Sequence, residues 1–439
     1  MTEQDIIKQI STRLGIEKLN AMQLEMMGCV SDSIQLIAPT GSGKTLAFAA
    51  SLLRSLKNPC GKVQGVVIAP SRELVLQIYN VVRPIATGYK TVAFYGGHAM
   101  REEQSSLSVV PDIIIATPCR LLDHVRRNHI SLADVMVLVL DEYDKSLELG
   151  FEDEMRSLVK EMRNIKRMIL TSATRPETLP AWLPLKREPL LIEAAAAEDA
   201  KGRLQKVEVK SAIPDKLPIL IDLIRSLEDG KVMVFVNHRE SAERVWQALV
   251  KEGIPAGLYH GALDQSEREL AIDLLNNATT PVLVTTDLGA RGLDIAEANH
   301  VVHYHMPPTV ESWTHRNGRT ARMGNSGTVY VITSESDSLP DYVITEREYV
   351  PTSKSSNPVR AHSDTIYFNL GKKEKVSRGD IAGFILSNTD LPADRLGKIV
   401  VKDHGSIAAV PAGLAGEIIR KLSVLRLKGK KVKVSQLTR

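Results

Sequence analysis

Short apolar runs recur along the chain at near-regular intervals. Between Ser33 and Leu191 they read SIQLIA, VQGVVIAP, KTVAFYG, PDIIIATP, VMVLVLDE and KRMILTSAT, with amphipathic stretches between them. A strand buried on both faces needs a continuous β-branched run, and such strands alternating with helical segments make a parallel sheet wrapped by helices. A second series, KVMVFVNH, IPAGLYHG, PVLVTTD, HVVHYHMP and GTVYVIT, repeats the pattern between 231 and 333. Two α/β domains are therefore expected. The Ala-rich, charged stretch EAAAAEDAKGR at 193–203 separates them as a linker.

Apolar periodicity lapses again at 334–363, where Ser, Pro, Asp and Thr dominate, as in a tether. Beyond it TIYFNL, an amphipathic stretch from Asp380, KIVVKD, SIAAVP, an amphipathic stretch from Leu414 and KKVKVS alternate as β-α-β-β-α-β. That order gives a four-stranded sheet with two helices on one face, a small α+β module of RNA-recognition type. The expected division is 1–195 and 204–345 for the two α/β domains, 346–363 for the linker and 364–439 for the module.

Composition adds exclusions. The chain has 439 residues, 43% hydrophobic and 25% charged, which is ordinary for globular domains. Its longest apolar runs, such as Val135 to Leu140, fall far below the roughly 18 residues that span a bilayer, so no membrane partner is expected. The N-terminus MTEQDIIKQI has no apolar stretch of signal type, and Cys29, Cys60 and Cys119 are too widely spaced for a disulfide framework or a metal knuckle. A reducing, cytoplasmic setting and a monomer are expected. The net charge of +4 hides a split: residues 360–439 hold 16 Lys and Arg against 7 Asp and Glu, leaving 40 against 45 before them. A basic module on a slightly acidic body points to a polyanionic partner, of which nucleic acid is the commonest.

The sharpest chemistry lies at APTGSGKT, 38–45, between the strand SIQLI and the helical run LAFAASLLRSL. Gly41 and Gly43 let the backbone curl around a phosphate, Lys44 neutralises the β and γ oxygens, and the Thr45 hydroxyl suits Mg²⁺. A carboxylate pair at the end of a buried strand is the second requirement, and VMVLVLDEYD supplies Asp141, to hold the metal through water, and Glu142, to orient and deprotonate the attacking water.

In order along residues 15–327, these motifs resemble the DEAD-box ATP-dependent RNA helicases of superfamily 2. The resemblance is carried by GIEKLNAMQ, PSREL, Gly96-Gly97, TPCRLLD, DEYD, SAT, VFVNHRESA, HGALDQSER, TTDLGARGLD and HRNGRTARMG. It implies two tandem RecA-like domains that hydrolyse ATP with Mg²⁺ on binding RNA. Gln23, Thr40, Gly41, Ser42, Gly43, Lys44, Thr45 and Asp294 would bind ATP, and Thr45 and Asp141 would hold the metal. Lys44, Glu142, Arg319 and Arg322 would be catalytic, the two arginines as fingers spaced three apart. Arg72, Gly97, Thr117, Arg120, Gln265, Arg268 and Thr286 would grip RNA through sugar and phosphate. Asp144, Ser172 and Thr174 would couple the ATP and RNA sites. The chain departs from the family at Tyr143, where alanine is usual, and at Leu19-Asn20, where Pro-Thr is usual.

Residues 364–439 resemble the C-terminal RNA-binding domain of DbpA-type bacterial helicases, which implies anchoring to structured ribosomal RNA. The third strand SIAAVP offers no aromatic to stack a base, so binding is expected through lysines such as Lys430 and Lys431. The leading expectation is an RNA-dependent ATPase that separates short duplexes during ribosome assembly. Its rivals are a nucleotide-gated RNA clamp with weakened hydrolysis and a DNA translocase. The alternating His303 and His305 are expected to be structural rather than metal ligands.

Overall fold

The computed structural model describes all residues except 40, 98–99, 174, 176–177, 195–203, 288–297, 322–325, 352–353, 356 and 438–439, and the side chain of residue 102. Two compact units result, the first over Met1–Lys201 and the second beginning at Gly202.

The first unit is a seven-stranded parallel sheet in the order β3-β4-β2-β5-β6-β1-β7. Its strands are β1 Ser33–Ile37, β2 Gly65–Ile68, β3 Thr91–Phe94, β4 Ile113–Ala116, β5 Val137–Leu140, β6 Arg167–Ser172 and β7 Leu190–Glu193. Side chains alternate between the faces, so one strand feeds two cores. Ile113, Ile115, Val137 and Val139 join one apolar cluster with Leu36, Val67 and Ile169. Ile114, Leu138, Leu140 and Leu170 join the other with Val66 and Phe94. Both clusters are covered by helices, which is why the strands read as unbroken apolar runs. Each fully buried side chain of this size is worth about 1.5–3 kcal/mol.

The second sheet is also parallel and seven-stranded, in the order β10-β11-β9-β12-β13-β8-β14. It comprises β8 Leu204–Lys210, β9 Val232–Phe235, β10 Ala256–Tyr259, β11 Val282–Thr285, β12 His300–His303, β13 Gly327–Thr333 and the short β14 Arg347–Glu348. The C-terminal module has an antiparallel sheet in the order β16-β17-β15-β20, from β15 Ser363–Phe368, β16 Ile399–Val401, β17 Ser406–Pro411 and β20 Val434–Leu437. Helices Arg378–Asn388 and Ala415–Leu422 pack their Ile381, Ile385, Ile418 and Leu422 into its core with Ile366 and Phe368. KKVKVS does not form one strand: Lys430–Lys431 (β19) pairs instead with Arg426–Leu427 (β18) in a separate ribbon.

This module and the second sheet form one unit. Several described residues of the Ser- and Pro-rich segment 346–363 contact the second domain. β14 adds to the edge of β8, Tyr349 packs into the second core with its hydroxyl 3.0 Å from Ser226 Oγ, and the Ser355 N–H donates to the Arg225 carbonyl at 2.9 Å. Thr365 on β15 is buried against Asn277 Nδ2 at 3.1 Å and Thr279 Oγ1 at 2.7 Å, and Lys402 pairs with Asp273 at 2.7 Å and Glu269 at 3.3 Å. Composition alone cannot reveal such an attachment, because it is made through backbone edges and short polar side chains.

Candidate nucleotide and RNA sites

In the loop between β1 and the helix Lys44–Ser55, Gly41 and Gly43 take φ of 83° and 88°, a left-handed conformation that side chains resist. At Gly43 a Cβ would also lie 2.4 Å from Gln23 Nε2. The Lys44 ammonium donates to the carbonyls of Ala38 at 2.7 Å and Ser172 at 3.4 Å, which places it across the carboxyl ends of β1 and β6. Ser42 Oγ is buried with no hydrogen-bond partner among the described residues. An orphaned hydroxyl beside a lysine in a glycine-bent loop fits a polyphosphate, which would supply the missing acceptor.

Gln23 has partners within the protein. Its Oε1 accepts from the Asn20 N–H at 2.9 Å, its own N–H donates to Asn20 Oδ1 at 2.9 Å, and its Nε2 donates to the Gly43 carbonyl at 3.3 Å. Asn20 Nδ2 donates to the Ser42 carbonyl at 3.1 Å. The expected adenine reader thus also closes the cap of its helix and clasps the phosphate loop, helped by the Asn20 that stands where the family has threonine.

The carboxylates follow β5. Asp141 is buried and accepts from the Thr171 hydroxyl. Burial pushes its pKa up, while that hydrogen bond and the charge of Lys44 pull it down. Glu142 takes φ 45°, rare for a residue with a side chain, and its N–H donates to Thr171 Oγ1 at 3.3 Å. Thr171, which no motif singled out, therefore holds both carboxylate residues; its only signal is its place immediately before SAT. The Ser172 hydroxyl donates to Asp144 Oδ2 at 2.7 Å, which brings these two coupling candidates together. Thr45 lies in the first turn of the loop's helix. Thr40 and Thr174 lie outside the described residues.

The candidate RNA residues of the first unit sit at helix starts and one turn. Arg72 opens the helix Arg72–Ile85 behind the Ser71 cap, with its guanidinium 4.7 Å from the Tyr95 ring centroid. Gly97 has φ 95°, and a Cβ there would lie 3.0 Å from Arg72 Nη1. Thr117 caps the helix Pro118–Arg126, which carries Arg120. Arg120 Nε is 2.6 Å from Glu103 Oε2, a buried acid that the motifs did not mark.

In the second unit Gln265 and Arg268 share the first turn of the helix Gln265–Asn276, joined by a 2.7 Å hydrogen bond. Thr286 follows β11, and Asp287 beside it binds Arg316 Nε at 2.5 Å and the Ser312 hydroxyl at 3.3 Å. Arg316 was not a candidate, yet it is fully buried. It also donates to Asn237 Oδ1 at 2.8 Å and the His305 carbonyl at 3.0 Å, and lies 5.4 Å from the Phe235 ring centroid. Its role in holding three strand ends together depends on residues distant in sequence. Arg319 is 2% exposed, just past the helix Val310–Asn317. Arg322 and Asp294 lie outside the described residues. His303 Nε2 meets Asn317 Oδ1 at 2.9 Å, and no group of three potential metal ligands occurs among the described residues.

In the module, Lys430 and Lys431 are exposed. Phe368 is buried against Phe384 with ring centroids 6.4 Å apart, whereas Tyr367 is half-buried on the face it shares with Thr365 and Ser363. Part of that face is therefore already occupied by the second domain. No helix among the described residues is long and apolar enough to cross a membrane.

Three family descriptions match in order: DEAD/DEAH box helicase over residues 20–181, helicase conserved C-terminal domain over 215–324, and DbpA RNA binding domain over 365–436. ATP-dependent RNA helicase DbpA of Escherichia coli is 31% identical over 415 residues, covering 92% of this chain and 91% of that protein. ATP-dependent RNA helicase DRS1 of Candida albicans is 35% identical over 308 residues, covering 68% of this chain and 50% of that one. Among solved structures, S. cerevisiae Dbp5 bound to RNA and ADP BeF3 matches with a TM-score of 0.66 at 25% identity, over 76% of this chain and 88% of that one. Mss116p bound to ssRNA and AMP-PNP matches with a TM-score of 0.67 at 25% identity, over 80% and 78%. With its phosphate loop, carboxylate pair and basic module in this order, and a relative matched along nine-tenths of its length, the chain belongs to the DEAD-box family of ATP-dependent RNA helicases.

Proposed function

We propose that this helicase acts as a cytoplasmic monomer on structured ribosomal RNA, where ATP turnover separates short duplexes during ribosome assembly. The observation that carries this is the basic C-terminal module anchored on the second α/β domain through Thr365 and Lys402. A motor whose own grip is on sugar and phosphate reads no sequence, so choice of target falls to the module. Support for a ribosomal target is the match to the DbpA RNA binding domain over residues 365–436.

Within the site, Lys44 and the loop around Ser42 would hold the phosphates of ATP, and Thr45 and Asp141 would hold Mg²⁺, which neutralises phosphate charge when bound. Glu142 would orient and deprotonate the attacking water. Arg319 and Arg322 would stabilise the charge that develops on the transferred phosphoryl group. Arg72, Gly97, Thr117, Arg120, Gln265, Arg268 and Thr286 would contact the RNA backbone. Asp144 and Ser172 would relay between the two sites.

The test is phosphate release by the full chain with total ribosomal RNA, with transfer RNA and with poly(U). Half-saturation at the lowest concentration with ribosomal RNA supports the proposal. Equal half-saturation with all three, per nucleotide, removes the ribosomal target while leaving the RNA-dependent ATPase in place.

A further inference from the structure

The first unit holds a buried carboxylate outside every motif. Glu103 lies on the helix Met100–Ser106, six residues after Gly97, and is 5% exposed. Its Oε2 accepts from Arg120 Nε at 2.6 Å and from His124 Nε2 at 2.8 Å, and its Oε1 accepts from the Tyr95 backbone N–H at 3.1 Å. Burial alone would raise its pKa, but the hydrogen bonds from His124, Arg120 and Tyr95 outweigh burial and hold it below its ordinary value, so the group is an anion.

His124 is fixed from behind. Its ring stacks on Phe94 with centroids 4.3 Å apart, its Nδ1 lies 3.3 Å from His129 Nδ1, and His129 Nε2 lies 2.9 Å from Gln104 Nε2. One set of tautomers satisfies each contact: Gln104 donates to His129 Nε2, His129 Nδ1–H to His124 Nδ1, and His124 Nε2–H to Glu103. The charge of Glu103 is matched by Arg120. On its other side Glu103 holds the backbone of Tyr95, whose ring carries the Arg72 guanidinium and whose chain continues into Gly97. The segments bearing Arg72, Gly97 and Arg120 thus converge on one carboxylate.

We propose that Glu103 is a positioning residue for RNA, setting Arg120 and the Tyr95–Gly97 turn in the geometry that receives a phosphate backbone. This rests on the assignment of Arg72, Gly97 and Arg120 to the RNA grip. An arginine already anchored loses less rotamer freedom when its phosphate arrives, so the benefit appears in RNA affinity. Glu103→Gln keeps the shape but removes the charge and turns one oxygen into a donor, so its amide nitrogen must face either the Tyr95 N–H or the Arg120 and His124 donors that share Oε2.

The experiment measures ATPase of the full chain against poly(U), an RNA without hairpins, in Glu103→Gln, Arg120→Ala and the double variant, with thermal unfolding of each. The expected result for Glu103→Gln is a rise of about tenfold in the half-saturating RNA concentration, equivalent to about 1.4 kcal/mol, with the rate at saturating RNA changed less than twofold. The double variant should fall short of the product of the two single effects, because the share of Glu103 that acts through Arg120 is already lost in Arg120→Ala and only its hold on the Tyr95 N–H remains. If Arg120→Ala raises the half-saturating concentration and Glu103→Gln does not, the positioning role is overturned. If Arg120→Ala has no effect, the RNA grip itself is misassigned. Should Glu103→Gln fail to fold, Glu103→Asp, which draws the charge back by one methylene, carries the same test with the same expected rise.

Discussion

The Tyr143 hydroxyl accepts a hydrogen bond from the Gln35 side-chain amide at 3.2 Å, inside the core of the first unit. Tyr143 stands where the family has alanine, and both residues are buried. The ring packs in the apolar cluster with Leu170, and burial drives its phenol pKa up, so it stays protonated. The usual alanine would leave both a cavity and a buried amide without its acceptor. Tyr143→Ala should therefore destabilise the chain by about 3–5 kcal/mol, the range for deleting a buried aromatic ring. Tyr143→Phe should cost about 1–3 kcal/mol. Adding Gln35→Leu should recover part of the Phe loss but not the Ala loss, as read by denaturant unfolding.

Glu142 itself holds the left-handed backbone conformation, φ 45°, immediately after Asp141. Glu142→Gln should keep ATP binding and lower turnover by about 10²–10⁴, the usual contribution of a general base. Phosphate release within severalfold of the unaltered chain would remove Glu142 from that role.

Gln23 bonds the Gly43 carbonyl, and its cap partner Asn20 bonds the Ser42 carbonyl. Gln23→Ala should weaken binding of all nucleotides by loosening the phosphate loop, by about 0.5–2 kcal/mol as for other lost caps. Affinities of ATP and GTP should fall together. A selective loss for ATP would instead make Gln23 an adenine reader.

Stability should depend on pH through His303 and His305. Burial lowers their pKa from 6.5 to about 3 and about 4. Below pH about 6.5 the unfolded chain takes up protons that the folded chain refuses, so the unfolded state gains. Stability contributed by these groups is complete above that pH and is lost as pH falls toward about 4 for His305 and about 3 for His303, by up to about 1.4 kcal/mol per unit for each histidine. Thermal unfolding followed from about pH 8 to pH 5 should show the decline. His303→Gln should make it shallower, and an unchanged slope would contradict the assignment.

Lys430 and Lys431 sit exposed on the β18–β19 ribbon. Changing both to Gln in the full chain should lower the slope of log affinity against log salt by about 0.7–0.9 for each phosphate that is no longer neutralised. Tyr367→Ala should weaken binding to ribosomal RNA less than this pair, because the sheet face around Tyr367 is partly taken up by Asn277 and Thr279. A larger loss from Tyr367→Ala would mean that bases stack there after all.

Much of this protein was legible along the chain. Apolar strands buried on both faces must read as unbroken runs, and a loop that bends around phosphate must place glycines at 41 and 43 with Lys44 and Thr45 at the helix start, so these features are local and sequence carries them. The concentration of 16 basic residues after position 359 is likewise a property of composition. Tertiary structure decided what depends on groups distant in sequence. The attachment of the module is made by Thr365 to Asn277 and Lys402 to Asp273, pairs that no spacing rule anticipates. Tyr143 looked like a departure from its motif until Gln35 supplied the partner, and Glu103 carried no signal because the N–H groups that bind it come from Tyr95, Arg120 and His124. A buried polar group takes its meaning from whatever the fold brings within hydrogen-bond reach, and that is fixed only once the strands have been ordered into a sheet.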